Sequence, residues 1–116
     1  EVPAEIEALV PDVAGWRRER LPELPKEPYF TLAPDWVCEI LSTSTERLDR
    51  EEKMPIYARE GVPHAWLVDP VKRTVEAYEL DERRRWGEPV VRGGEERVRL
   101  APFDAIEIDL SVLWAK

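Results

Sequence analysis

The sequence is poor in the residues that mark many small-site chemistries, with one cysteine and one histidine in 116 residues. A single thiol permits no internal disulfide, and Cys38 lies in an apolar run, where it reads as a small buried hydrophobe rather than a nucleophile. His64 has no neighbours at zinc-ligand spacing and no legible Ser-His-Asp arrangement, so packing at a strand start is its favoured role. There is no glycine-rich phosphate loop, repeat or low-complexity segment. The longest strictly apolar runs, residues 65–68 and 112–115, are four residues, against the roughly 20 a bilayer demands. The opening EVPAEIEALVPD carries acids where a secretory signal carries bases, so a cytoplasmic location is expected, with no membrane partner. A basic excess is also missing. Seventeen Lys and Arg against 25 Asp and Glu leave a net charge of -8, which argues against holding a long nucleic acid by overall charge. It does not argue against a nucleic-acid enzyme, because a Mg²⁺ site needs carboxylates and a local basic patch can coexist with a negative total.

What is present is enough for one core: a chain of this length buries about two thirds of its unfolded surface. Residues 8–16 are short, apolar and closed by Gly15, which suits a buried strand interrupted by Asp12. Residues 17–28 hold three prolines and alternating charge, the composition of an irregular connection. Residues 34–41 are apolar on both alternating faces, as in a strand covered on both sides, with Asp35 and Glu39 intruding on one face. Ser42, Ser44 and Asp49 are candidate caps for a helix over residues 46–60 that Gly61 closes, with lining a polar site as their other reading. Pro55 should kink that helix or begin a second segment. Residues 64–70 and 74–80 read as a hairpin. Residues 89–92 and 96–100 read as a second one, joined by Gly93-Gly94. A last short strand at 106–109 and a brief helix at 110–114 follow. This order gives an α+β, or mixed α/β, fold with a twisted mixed sheet.

The informative oddity is a carboxylate inside an apolar strand. An unpaired buried charge costs several kcal/mol, so Asp12 and Glu39 each require a partner or exposure. If their strands are neighbours, the two acids could converge on a divalent cation, with Lys53 on the following helix to help position or deprotonate a water. A plainer reading is open on spacing alone: acids near strand ends accept loop hydrogen bonds, and Lys53, four positions after Asp49, makes an ordinary helix-surface ion pair.

The string APDWVCEILSTSTERLDREEKMPIYAREGVPHAWLVDP, with the earlier VPDVAGW, resembles the Uma-type restriction endonuclease family (Uma two), a branch of the PD-(D/E)xK nuclease superfamily, over about residues 9–114. The resemblance implies a restriction-endonuclease-like core: a mixed sheet with flanking helices, in which two strand acids bind Mg²⁺ or Mn²⁺. It implies one nuclease-like domain over residues 1–116, lacking its N-terminal part. Asp12 then looks like the acid of the PD element, Glu39 that of the (D/E)xK element, and the carbonyl of Ile40 a further metal ligand. Where the superfamily pattern has its lysine this chain has Leu41, and Lys53 matches the place to which this branch moves it. Asp35 is a second acid, but four strand positions, about 13 Å, separate it from Glu39, so Asp12 is preferred.

The implied reaction is metal-dependent hydrolysis of DNA phosphodiesters, with DNA as partner and a homodimer as one allowed assembly. Arg47 and Arg50 on the helix are the candidate substrate-phosphate ligands, with Arg17, Arg18 and Arg20 on the loop. Arg83, Arg84 and Arg85 beside Trp86 form a group suited to nucleotide stacking. The rival expectation, from another class, is a catalytically inactive nuclease-like module that binds a protein through an edge strand or acidic surface.

Overall fold

The computed structural model describes residues 11–21 and 33–115. Residues 8–10 of the first expected strand and residues 22–28 of the proline-rich connection lie outside that set. The order of elements is β1 (Val13–Gly15), β2 (Trp36–Ile40), α1 (Glu46–Leu48), a π-helical turn (Asp49–Lys53), α2 (Met54–Arg59), β3 (His64–Asp69), β4 (Thr74–Glu79), β5 (Val90–Gly93), β6 (Arg97–Val98), β7 (Ile108–Asp109) and α3 (Ser111–Trp114). The first five strands form one mixed sheet in chain order. β2 and β3 are parallel and the other neighbours antiparallel. A parallel pair needs a crossover, and the helical segment from Glu46 to Arg59 supplies it.

That segment starts and stops where local chemistry dictates. Ser42 caps it, its hydroxyl accepting from the Thr45 N–H at 3.2 Å and its carbonyl from the Glu46 N–H at 2.9 Å. Gly61, at φ +77, ends it. The Val62 N–H reaches back to the Tyr57 carbonyl and the Gly61 N–H to that of Ala58, the paired bonds of a left-handed helix stop that glycine adopts without strain. Pro55 falls at the start of α2, directly after the π turn, so the expected irregularity takes the form of a widened turn.

Strand alternation divides the core in two. Val37, Leu41, Ala65 and Leu67 face the helix and pack with Met54, Tyr57 and Val62. Cys38, Trp66, Val68, Val75 and Ala77 face the other way, onto Val98, Leu100 and Leu110. Among the described residues, the second face is covered by the chain around β6, β7 and α3. No described helix is long and apolar enough to cross a membrane.

The first hairpin forms as expected, with Asp69 Oδ1 accepting the Val71 and Lys72 N–H groups at 3.0 Å each. The second does not. β5 pairs with β4, and β6 pairs instead with β7 in a separate two-stranded sheet. Gly93-Gly94 serves close approach rather than a tight hairpin. A Cβ on Gly93 would stand 2.5 Å from the Arg73 carbonyl oxygen, and that oxygen accepts the Gly94 N–H at 2.9 Å.

Candidate active site

β1 and β2 part at the place where the two acids sit. The last ladder pair is Val13 with Cys38. Continuing it would set Pro11 against Ile40, and proline has no N–H to give. Side chains take over the cross-links. Asp12 Oδ2 accepts the Ile40 N–H at 2.6 Å, and Glu39 Oε1 accepts the Asp12 N–H at 3.1 Å. As the next cross-strand positions, Asp12 and Glu39 share the helix face of the sheet.

The helix completes the cluster. The Tyr57 hydroxyl donates to Glu39 Oε2 at 2.6 Å. The Lys53 ammonium lies 3.3 Å from Glu39 Oε2 and 3.3 Å from Asp49 Oδ1. Glu39 is 0% exposed and Asp49 2%, whereas Asp12 is exposed. The site therefore runs from a closed end at Asp49 and Tyr57 to an open end at Asp12.

Burial pushes the Glu39 carboxyl above the usual carboxylate range, against the opposing pull of the Tyr57 and Asp12 donors and the Lys53 charge. Burial works against the Lys53 charge too, but Glu39 and Asp49 beside it hold the ammonium above the ordinary lysine range. Tyr57 is pushed up by burial and then by Glu39, so it stays a donor. Cys38 is pushed up to about 12 by burial, and next by Glu39 and Asp12, which keeps its sulfur an unreactive thiol.

These donors suit a hard cation. All are oxygens, the Glu39 carboxylate binds the Asp12 N–H and the Asp12 carboxylate the Ile40 N–H beside it, and Mg²⁺ is commonly held by one or two carboxylates with water and substrate oxygens making up the rest. The Ile40 carbonyl lies on the same strand edge as its N–H, the edge facing Asp12. Among the described residues no group of three or more His, Cys, Asp or Glu forms a closed metal cage.

Other expected residues lie elsewhere. Arg50 turns into the sheet, donating to both oxygens of Glu76 at 2.9 and 2.6 Å and to Glu46 at 2.8 Å. Arg47 pairs with Glu51 on the open surface. Asp35 accepts from Arg17 and Arg20. Asp49 is no cap, being buried against Lys53. Trp86 is no stacking platform: its indole N–H donates to the Met54 carbonyl at 2.9 Å, and its ring packs on Tyr78. Arg84 likewise donates to the Arg59 carbonyl. The residue that sequence reasoning missed is Tyr57. Its signal was the spacing Asp49, Lys53, Tyr57, three polar residues four apart.

A solved structure from Anabaena variabilis ATCC 29413, described as a "putative nuclease belonging to DUF820", matches this fold with a TM-score of 0.70 at 24% sequence identity, covering 91% of this chain and 59% of that one. This chain thus spans less than two thirds of that relative's length. None of the curated proteins matches. The fold is that of restriction-endonuclease-like proteins. The family model described as "Uma2: Putative restriction endonuclease" matches residues 2–112, and with nearly the whole chain inside that match, this protein belongs to the Uma2 family.

Proposed function

We propose that this chain carries the catalytic core of a cytoplasmic, Mg²⁺-dependent endonuclease that hydrolyses phosphodiester bonds in DNA. The observation that carries the proposal is that Glu39 binds the Asp12 N–H and Asp12 the Ile40 N–H where the β1–β2 pair parts, with the Lys53 ammonium 3.3 Å from Glu39. Burying Glu39 without a function would be a cost with no return, since an apolar residue packs the same space without desolvating a charge.

Asp12 and Glu39 would hold the ion, Asp12 from the exposed side and Glu39 from beneath. A bound Mg²⁺ supplies a polarised phosphate and a water of lowered pKa. Glu39 keeps its place because three donors fix its two oxygens, one on Oε1 and two on Oε2. Lys53 brings a fixed positive charge to the corner where negative charge grows on the attacking and phosphate oxygens. The exposed Asp12 end is where a phosphate can approach, and the apolar floor around Val37 and Leu41 keeps water from reaching the site through the core.

The rival reading is an inert module that binds a protein through an edge strand or an acidic surface, and its edge-strand form finds little purchase at β5. The outward carbonyl of Val91 is taken by Arg92, and the outward N–H of Gly93 by Glu96. Such capping is how sheets refuse added strands.

The test is nicking of supercoiled DNA, with RNA in parallel, in Mg²⁺ and in Mn²⁺. Mg²⁺ titration calorimetry accompanies it on the parent, Asp12→Ala and Glu39→Ala. Metal binding lost in both variants together with cleavage supports the proposal. Binding unchanged in both shows that the ion sits elsewhere and ends it.

A further inference from the structure

The buried Asp49 has no part in the reaction just described, yet a carboxyl side chain at 2% exposure is expensive unless its position does something. It opens the π turn, whose closing bond runs from the Met54 N–H back five residues to the Asp49 carbonyl. In a regular α-helix, residues four apart advance about 400°, overshooting a full turn by about 40°, so residues 49, 53 and 57 would fan out over about 80°. A π turn is wider and turns less per residue. It turns that overshoot back between 49 and 53, so that Asp49, Lys53 and Tyr57 stay on the side of the helical segment that faces Glu39. The contacts bear this out: Tyr57 and Lys53 both touch Glu39 Oε2, and Asp49 touches Lys53 from behind.

Pro55 gives the turn a local cause. In α register its ring would press on the carbonyl of Glu51, four residues back, which would also lack a donor. A widened turn just ahead of the proline removes that clash.

We propose that Asp49 is a positioning residue for Lys53: from the π turn it fixes the ammonium between two carboxylates, so that the charge stands at the metal corner before substrate arrives. A lysine on one carboxylate keeps a flexible four-carbon stem and most of its rotamer freedom. A lysine held at equal distances from two keeps little. The value of this to a nuclease rests on the function proposed above, but the holding itself does not.

The experiment therefore begins with the metal-free protein. Water exchange of the Lys53 ammonium is followed by ¹⁵N NMR, the signal being assigned through Lys53→Arg, in the parent and in Asp49→Asn. Thermal melts confirm folding. The expected result is exchange faster by about fivefold or more in Asp49→Asn. In the cleavage assay, kcat falls about tenfold or more with KM within about twofold, as for an interaction made in the transition state. Unchanged exchange in a folded Asp49→Asn overturns the proposal, and so does unchanged kcat. Asp49→Ser takes its place should Asn not fold, and if neither neutral variant folds, Asp49 is a structural residue and the proposal fails. A parent that cleaves nothing, yet loses ammonium protection on Asp49→Asn, sinks the nuclease reading and keeps this one.

Discussion

Two glutamates on one row of the sheet share a description and differ in character. Glu39 on β2 and Glu76 on β4 both pair with Leu67 of β3, from opposite sides, and both face the helix. Each accepts a tyrosine hydroxyl, from Tyr57 at 2.6 Å and Tyr78 at 2.7 Å, and each meets a helix cation. Glu76 is gripped at both oxygens by the Arg50 fork, and those hydrogen bonds hold its carboxyl below the usual range. Glu39 has a lysine at 3.3 Å, is fully buried, and is pushed above that range by burial. A planar guanidinium satisfies a carboxylate completely. An ammonium leaves lone pairs over. The first arrangement is a clamp, and the second keeps an acid able to take another cation.

Removing each charge should separate the two roles. Glu39→Gln is expected to cut cleavage by about a hundredfold or more, with Glu76→Gln within a few fold of the parent, measured as kcat on the same DNA. Equal losses would erase the distinction. For stability the order reverses in cause. Glu76→Ala leaves Arg50 with Glu46 as its remaining partner and should cost about 1–3 kcal/mol in urea unfolding, less than a fully enclosed pair because both groups are partly exposed.

The pH response should carry opposite signs. Glu76, lowered from 4.5, contributes stability that is present above that value and lost as pH falls through its folded value. Glu76→Gln should flatten this acid loss. Glu39, raised from 4.5, binds its proton more readily folded than unfolded, so its share of stability declines as pH rises from 4.5 through its folded value. Glu39→Gln should remove that decline. Urea midpoints across the acid range read both slopes. The smallest effect is Tyr78→Phe, one hydrogen bond on an already clamped acid, at about 0.5–1.5 kcal/mol.

The elements legible in the sequence were those with a strong local signal. β2, β3 and β4 declared themselves by apolar alternation, the helix by Ser42 and Gly61, and the polar corner by acids that an apolar strand does not tolerate without reason. The second hairpin misled because Gly93-Gly94 permits a tight turn without requiring one, and β4 offered β5 an open edge that no local pattern announces. Arg50 looked like a phosphate ligand because its distant partner Glu76 lies 26 positions on. Trp86 looked like a stacking platform because the Met54 carbonyl that receives its N–H is 32 positions away.

The chain by itself determined which residues are costly to bury, where the backbone must turn, and that Asp12, Glu39 and Lys53 required explanation, since these follow from side-chain chemistry and local geometry. Only the folded molecule decided which carboxylate meets lysine and which meets arginine, and that a π turn keeps Asp49, Lys53 and Tyr57 on the side facing Glu39. Those outcomes depend on strand register and on the angular drift of a helix over a sheet, quantities fixed by packing between distant segments rather than by any one of them.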